Sequence, residues 1–286
     1  MSRRSALRIA LLSTTAASAL LLAGCAGAGP STTPSAAVDG QPSPDDLVTP
    51  GTFTVATGEI AYFPYVIDDE PESGEGFESA VAYAVADKLG FAKDEVTWVR
   101  TSFEAAIAPG PKSFDINIQQ YTITDERKQG VDFSSPYYAA SQAVVAVKGG
   151  AADGVDSLAG LADLTIGVMA NSTSATTLAE TAPDAEAKAY NSNEDAVAAL
   201  NAGQIDAIVL DLPTAYFATA EYIEDSFIVG ELPAAGIPDE WGLLLAKDSP
   251  LTDAVTDAVD ELRDEGTLAE ITDEWLGSGQ GVTLLE

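Results

Sequence analysis

The chain of 286 residues has no histidine and only one cysteine, Cys25. Without histidine it cannot form a Ser-His-Asp triad, and it lacks the usual zinc ligand and the usual proton shuttle near neutral pH. A single cysteine excludes both an intramolecular disulfide and a four-cysteine zinc site. We therefore predict no metal site, no cofactor and no catalytic residues.

Basic side chains are scarce as well. The sequence holds 13 Lys and Arg against 45 Asp and Glu, which gives a formal net charge of −32 at pH 7. Such a chain is not a net basic binder of nucleic acid or of anionic lipid. Hydrophobic residues make up 46% and charged residues 20%, as in globular proteins, and the length suffices for one large domain or two ordinary ones.

The first 50 residues have the composition of an export signal followed by a tether. Three arginines precede an apolar run at about residues 9–23, which is free of acids and too short to be a convincing membrane span. Residues 1–24 are therefore predicted to be a secretory signal peptide. Residues 25–50 are rich in small and polar side chains, which cannot bury enough apolar surface to fold, so a disordered tether is predicted there.

The apolar run ends in the letters LAGC, with Cys25 as the last residue. This ending resembles the lipobox of bacterial lipoproteins, which implies that Cys25 is lipidated, with palmitate among its acyl chains, and becomes the mature N-terminus. Two or more acyl chains anchor a protein firmly, because each buried CH₂ contributes about 0.8 kcal/mol. An ordinary signal peptide with a chance cysteine is the alternative, and the export route stays open between Sec and twin-arginine.

Alternating β-rich and helical segments predict an α/β fold for the remainder. Residues 52–57, 96–100 and 114–118 are rich in strand formers, and apolar residues from Phe77 to Leu89 recur at helical spacing. Further strands are predicted at residues 141–147, 164–168, 187–190, 205–210 and 241–246. A glycine-rich break at residues 149–154 separates the two series, and a helix is predicted at residues 193–201 in the second series. Such alternation favours largely parallel sheets, whose ligands bind outside the carboxyl ends of the strands.

The segment QQYTITDERKQGVDFSSPYY, at residues 119–138, is predicted to be a loop that leads into one short polar helical turn. The Thr124 hydroxyl can cap this turn, and Asp125 and Glu126 lie where the helix dipole favours negative charge. Arg127 is a candidate anion clamp, because a guanidinium binds a carboxylate through two parallel hydrogen bonds. The alternative is a surface arginine paired with a neighbouring acid, an arrangement that usually contributes little.

The same segment resembles a signature of the family 3 extracellular solute-binding proteins, the polar-amino-acid receptors of ABC importers. The likeness runs from about residue 52 to residue 276. It includes, in the family's order, YFPY at 62–65, GEGFESAVAYAVADKLGF at 74–91, TIGVMANSTS at 165–174, GQIDAIVLD at 203–211 and LRDEGTLAEITDEWLG at 262–277. The resemblance implies a two-lobed venus-flytrap fold of the type II periplasmic-binding-protein kind, with two hinge crossovers.

The resemblance also implies the division of the chain. The crossovers are expected near residues 139–142 and 232–240. Lobe one would then comprise residues 51–140 and 238–286, and lobe two residues 141–237. Periodicity alone does not predict that the C-terminus returns to lobe one.

A free amino acid is a zwitterion, so a receptor that desolvates it must pair both of its charges. The resemblance implies that Arg127 binds the carboxylate, together with Ser172 and Thr173 at the N-terminus of a helix. Asp211 matches the family's acceptor for the α-ammonium group. The alternative for Asp211 is an N-cap of the helix that follows Pro213, and the two roles are compatible.

Further positions match residues that line the family's ligand. Thr122 would contact the α-groups, while Tyr62 and Phe103 would stack on the ligand or line it; an aromatic that staples the core is the alternative for Tyr62. Gln120 stands where relatives often carry serine, so it narrows or alters the pocket. Asn171 stands where relatives carry glycine, a mild departure because asparagine tolerates left-handed geometry.

Glu59 stands where relatives carry an acid that faces the side-chain pocket, which favours a cationic or amide ligand such as arginine or glutamine. A solvated surface glutamate is the alternative. The resemblance implies an exported monomer, lipid-anchored on the outer face of the cell membrane, that delivers a polar amino acid to the permease of an ABC importer. The alternatives are a sensor lobe for a signalling receptor, and a dehydratase-like enzyme in which Glu59 and Asp211 perform acid–base chemistry.

Overall fold

The computed structural model describes residues 42–236, 239–277 and 281–286, all within one compact unit. The predicted signal peptide, Cys25 and most of the predicted tether lie outside the described residues. No helix in the described ranges combines the length and the apolar character needed to cross a membrane.

Strands and helices alternate along the described chain. The strands are β1 (Phe53–Thr57), β2 (Val96–Arg100), β3 (Ile116–Asn117), β4 (Val131–Ala139), β5 (Gln142–Val147), β6 (Thr165–Met169), β7 (Glu186–Tyr190), β8 (Ala207–Asp211), β9 (Ser226–Leu232) and β10 (Glu240–Ala246). The α-helices are α1 (Phe77–Lys88), α2 (Phe103–Ile107), α3 (Thr173–Thr181), α4 (Asn193–Asn201), α5 (Leu212–Phe217), α6 (Thr252–Asp264) and α7 (Thr267–Trp275).

The strands form two five-stranded sheets, one in each lobe. Lobe one has the order β2-β1-β3-β10-β4, and lobe two has the order β7-β6-β8-β5-β9. In each sheet one strand, β10 or β5, is antiparallel to its neighbours, while the other four share a direction. These two strands are the ones that enter a lobe from a crossover. They start at the cleft edge, where the other strands end, so they must run the opposite way.

Two short crossovers join the lobes. One lies between β4 and β5, and the other lies between β9 and β10. The crossovers touch each other, because the Ala140 N–H donates to the Asp239 carbonyl oxygen at 2.8 Å. The strand ends that border this hinge therefore place their side chains along one cleft between the lobes.

Helix α1 shows why this sequence folds locally as it does. Phe77, Val81 and Val85 recur at helical spacing, and all three are fully buried. The helix begins after Gly76, whose φ is 104°, and a Cβ at this position would meet the Tyr65 carbonyl oxygen at 2.5 Å. Only glycine fits there, and this tight junction fixes the direction of the first helical turn.

Two strands, β4 and β9, are missing from the sequence-based prediction. Both pair through an irregular register: the β10–β4 ladder shifts around Gly242, and the β5–β9 ladder shifts between Val144 and Val145. Such bulges break the alternation of apolar and polar residues that marks a strand in sequence. The polar stretch before Tyr138 was consequently predicted to be loop and turn throughout, although the turn ends by Gly130.

The predicted tether is wrong for its last residues. Leu47 is only 7% exposed and packs in the core of lobe one. The next residue, Val48, donates its N–H to the Asp115 carboxylate at 2.8 Å, and the same carboxylate accepts from the Thr54 N–H at 2.7 Å. These contacts attach Leu47 and Val48 to lobe one.

The C-terminal residues also depart from the predicted division, which gave residues 238–286 to lobe one. Leu285 is buried in the core of lobe two. The Glu231 N–H donates to the Thr283 carbonyl at 2.9 Å, and the Leu285 N–H donates to the Glu231 carbonyl at 2.9 Å. The outer edge of β9 and the apolar core of lobe two thus hold residues 283–285.

Candidate ligand-binding cleft

A narrow cavity of about 40 Å³ lies between the lobes at the hinge. It is lined by Tyr62, Phe103, Gln119, Gln120, Arg127, Met169, Ser172, Thr173, Ser174, Asn193 and Asp211. Seven of the nine predicted ligand-binding residues are in this lining. Of the other two, Thr122 is 1% exposed and hydrogen-bonds to Thr173, while Glu59 lines a larger adjoining cavity.

Arg127 projects from the short turn after the Gln119 loop. The Thr124 hydroxyl accepts from the Arg127 N–H at 3.1 Å, so the predicted cap is present. The guanidinium donates Nη1–H to the Thr122 carbonyl at 2.7 Å and Nη2–H to the Asn171 carbonyl at 3.0 Å. It also lies 5.3 Å from the centre of the Phe103 ring.

These contacts fix the plane of the guanidinium and leave donors for an anion, because the group carries five N–H bonds. No described carboxylate forms an ion pair with Arg127, so the simple surface pair does not describe it. Burial lowers the pKa of Arg127, and the neighbouring Tyr121 and the carboxylates of Asp239 and Asp211 act in the opposite direction.

The N-terminus of α3 meets Arg127 from lobe two. Asn171 precedes it with a φ of 60°, the left-handed geometry that asparagine tolerates. Ser172 is the N-cap: its hydroxyl accepts from the Ala175 N–H at 3.2 Å and donates to the Met169 carbonyl at 2.7 Å. Thr173 opens the first turn, whose N–H groups have no acceptor within the helix and suit an anion.

Asp211 ends β8 on the opposite side of the cavity. It occupies the N-cap position of α5, but its side chain makes no capping bond. Its Oδ1 instead accepts from Gln142 Nε2 at 2.5 Å, and the same amide nitrogen donates to Asp239 Oδ2 at 2.5 Å. Burial, and then the charge of Asp239, raise the pKa of Asp211 well above its ordinary value. A cation bound next to Asp211 would stabilise the ionised form of this carboxylate.

Thr122 connects the two halves of the site. Its hydroxyl donates to Asp239 Oδ1 at 2.6 Å and lies 3.1 Å from the Thr173 hydroxyl of the other lobe. Gln142 completes the network, since its Oε1 accepts from the Ser174 hydroxyl at 2.6 Å. Charged and polar groups from both lobes and from the crossover between β9 and β10 are therefore linked into one chain of hydrogen bonds.

Gln120 is anchored by hydrogen bonds to Glu78, a residue outside the cavity lining. Its φ is 49°, and both its backbone N–H and its side-chain amide donate to the carboxylate of Glu78. The Tyr137 hydroxyl donates to the same carboxylate at 2.5 Å. The glutamine that stands in place of a smaller serine is thus anchored to a buried acid rather than free to move in the pocket.

The lobes also touch around the rim of the cleft. The Tyr65 and Thr214 hydroxyls lie 2.9 Å apart, and Asn171 Nδ2 donates to Glu104 Oε1 at 2.8 Å. The rings of Phe63 and Phe217 are 4.6 Å apart between centroids. Because these contacts join the two lobes across the rim, the cleft is closed in this structure.

Residues 54–278 match the bacterial extracellular solute-binding proteins, family 3. The chain belongs to this family. The match covers both lobes, so the resemblance seen in the sequence motifs is confirmed over most of the chain.

Individual relatives of this family 3 protein bind amino acids. The L-cystine-binding protein TcyJ of Escherichia coli is 29% identical over 232 residues, which is 80% of this chain and 84% of the relative. A solved ancestral arginine-binding protein, bound to glutamine, is 33% identical with a TM-score of 0.67 and covers 80% of this chain and 99% of its own. An ancestral amino acid-binding protein, described as a precursor of cyclohexadienyl dehydratase, is 29% identical with a TM-score of 0.65 and covers 79% and 95%. The predicted two-lobed α/β fold is confirmed.

The family 3 protein has a second, wider space beside the narrow cavity. It measures about 440 Å³ and shares Tyr62 and Phe103 with the first. Its lining carries four carboxylates and no lysine or arginine, the acids being Glu59, Glu104, Glu194 and Asp195. Tyr62 hydrogen-bonds to Glu194, and burial together with this carboxylate raises the pKa of the Tyr62 phenol.

The prediction of the site lacked the polar lining residues Gln119, Ser174 and Asn193. It also lacked Glu78 and Gln142, which hydrogen-bond to the lining, and Asp239, which hydrogen-bonds to Gln142. Glu78 lies within a segment that resembles the family, and its signal was one acid on an otherwise apolar helix face. Gln142 and Asp239 lie in or beside the predicted crossovers, and no spacing in the sequence marks them. Of the three aromatics expected in the loop after β1, Tyr65 is a core residue at 2% exposure, whereas Tyr62 lines the cleft.

Proposed function

We propose that this family 3 solute-binding protein captures a polar amino acid between its lobes and delivers it, as a monomer, to the membrane permease of an ABC importer. The observation that supports this proposal is the separation of charge across one small cavity. Arg127 and the α3 N-terminus offer donors to a carboxylate, and Asp211 offers an acceptor to an ammonium group. A zwitterion pairs with both sides at once.

A screen of the twenty amino acids by thermal shift tests this function. A ligand present at 100 times its dissociation constant stabilises the protein by about 2.7 kcal/mol, which moves the unfolding temperature measurably. We expect one or a few polar amino acids to raise it. If none of the twenty does so, the proposal is wrong.

The wider cavity favours a cationic or amide side chain. Four carboxylates line it without any lysine or arginine, so a positive group entering there gains attraction from several directions. The ancestral arginine-binding protein bound to glutamine is consistent with both ligand classes. A side chain carrying a negative charge would instead meet repulsion at this wall.

We predict that Glu59 contributes to this preference. Glu59 is exposed at the wall of the wider cavity, so Glu59→Gln should weaken L-arginine binding by up to about 1 kcal/mol and leave L-glutamine nearly unaffected. Calorimetry with both amino acids measures the difference, and Glu72→Gln, an exposed acid outside the cavity, is the matched control. Equal loss for both ligands, or no L-arginine binding by the wild type, contradicts a cationic pocket.

Anchoring at the outer face of the membrane is proposed to depend on Cys25, because the only thiol coincides with the lipobox-like ending of the apolar run. Cys25→Ser should release the exported protein into the soluble fraction. Cell fractionation followed by immunoblotting makes the measurement, with the wild type as reference. A variant that stays as firmly bound to the membrane as the wild type argues against lipidation at this position.

Family members are binding proteins, and the alternatives of a sensor lobe or an enzyme lack support of their own. A dehydratase would need a proton-transfer pair, and the two acids considered for it, Glu59 and Asp211, line different cavities. Binding without turnover is the function that this arrangement supports best.

A further inference from the structure

Glu78 is a buried carboxylate that the charge clamp does not use. It lies in the first turn of α1, is 1% exposed, and forms no ion pair with any described basic residue. Three donors converge on it. Oε1 accepts from the Gln120 N–H at 2.8 Å and from the Tyr137 hydroxyl at 2.5 Å, and Oε2 accepts from the Gln120 side-chain amide.

The contact with Gln120 is a two-point attachment. One carboxylate oxygen holds the backbone and the other holds the side chain, at a residue whose φ of 49° is rare for a non-glycine residue. Gln120 in turn lines the narrow cavity beside Arg127 and Asp211. The shape of that cavity therefore depends on Glu78, although Glu78 itself is not part of its wall.

The two protonation states of Glu78 cannot hold Gln120 equally well. An ionised carboxylate only accepts, so it satisfies all three donors, whereas a protonated one must donate from one oxygen. A proton on Oε2 would face the Gln120 side-chain N–H, which cannot accept it. A proton on Oε1 can be donated to the Tyr137 hydroxyl, but it makes Oε1 a weaker acceptor for the Gln120 backbone N–H. Burial raises the pKa of Glu78 to about 7, while the bonds from Tyr137 and Gln120 oppose the shift. Both states are accessible near neutral pH.

We propose that Glu78 is a positioning residue that fixes Gln120 at the cleft, and that its ionised form is the one competent to bind a cationic amino acid. This inference rests on the proposed function. It makes affinity rise with pH, because a positive ligand favours the ionised carboxylate and binding releases a proton.

The groups that face Glu78 support this direction. Tyr137 comes from β4, Tyr62 and Tyr65 from the loop after β1, Tyr121 from the segment before β4, and Asp211 from lobe two. Four are neutral phenols and the fifth is an acid, so none of these neighbours supplies a positive charge.

The first test follows Gln120 in the protein without any ligand. We expect the backbone and side-chain amide resonances of Gln120 to titrate with a midpoint near pH 7, and Glu78→Gln to abolish this titration. Glu72→Gln, an exposed acid on the same lobe, should leave it intact. Resonances of Gln120 that stay constant from pH 5.5 to 8.5 overturn the inference, whether or not any amino acid binds.

The second test uses L-arginine as the probe in calorimetry at pH 5.5 and pH 8.0. If bound L-arginine lowers the pKa of Glu78 by one unit, the affinity for L-arginine differs roughly tenfold between the two protonation states. We expect tighter binding at pH 8.0 than at pH 5.5. Glu78→Gln should bind more weakly than the wild type at pH 8.0 and show a smaller pH dependence, with the remainder arising from Asp211. An unchanged dependence in the variant contradicts the role of Glu78. Absence of L-arginine binding in the wild type counts against the proposed ligand class instead.

A folding control accompanies both tests. Because burial raises the pKa of Glu78, its contribution to stability is present at acid pH and is lost as the pH rises through about 7. Glu78→Gln removes the charge but sets an amide NH₂ group against three donors, so its unfolding temperature at pH 8.0 is measured to establish that the variant is folded in both tests. A variant that is stable but loses the pH response separates positioning from a general structural role.

Discussion

Arg127→Ala is expected to weaken amino-acid binding by about 2–5 kcal/mol, because the substitution leaves the ligand's carboxylate half-paired in a closed cleft. The guanidinium is held by two backbone carbonyls, one from each lobe, and it stacks on Phe103. Its removal takes away both an anion partner and a contact that joins the lobes. Closure should suffer along with affinity, since a ligand shifts the equilibrium only by its differential affinity for the two states.

The measurement for Arg127 is calorimetry with the amino acid that the thermal screen identifies, together with small-angle scattering to follow closure. Lys128→Ala is the matched control, because Lys128 is the next residue, is exposed, and is only 3.9 Å from Asp125 in a surface pair. We expect this control to bind normally. Undiminished affinity in Arg127→Ala, with normal ligand-induced compaction, would falsify the assignment of the carboxylate clamp.

Asp211→Ala should cost binding energy of a similar order, roughly 2–5 kcal/mol, because it removes the acceptor for the ligand's ammonium group. Unlike a core substitution, it should not destabilise the protein without ligand. The pKa of Asp211 is raised by burial and by Asp239, so its contribution to stability is present at acid pH and is lost as the pH rises through the raised pKa. Above that raised pKa the ionised Asp211 opposes folding.

Calorimetry and thermal unfolding at pH 7, carried out on the same samples, separate the two effects. We expect Asp211→Asn and Asp211→Ala to lose affinity while the unliganded protein unfolds at the same temperature or higher. Asp184→Asn, an exposed acid in lobe two, serves as the control. Lower stability with unchanged affinity would show that Asp211 is a structural residue rather than a ligand partner.

The secondary-structure elements that could be predicted are those whose signal lies within a short stretch of sequence. Helix α4 has the predicted bounds, Asn193–Asn201, and α1 begins at the predicted Phe77. The roles of Arg127 and Asp211 are predicted by the resemblance to a family, since the chemistry of each residue alone leaves an alternative open: a surface pair for Arg127 and a helix cap for Asp211. The structure places both residues at one cavity.

What the sequence could not predict depends on distant parts of the chain. The Gln142 amide bridges Asp211 and Asp239, partners 69 and 97 residues away, because the two crossovers meet at the hinge. Glu78 and Gln120 are 42 residues apart and adjoin only after α1 packs on its sheet. Strands β4 and β9 were missed because bulges interrupt their alternation.

The two ends of the described chain lie on different lobes, which suits the protein to distance reporting. Near the N-terminal end, Leu47 is fixed in lobe one, whereas Leu285 is buried in lobe two and the Glu286 carbonyl accepts from Leu158 at 3.2 Å. A fluorophore at Ser43 and another fused after Glu286 would each ride on its own lobe, outside the cleft. Energy transfer between them would follow the opening and closing of the protein in real time, with every residue of the binding site left intact.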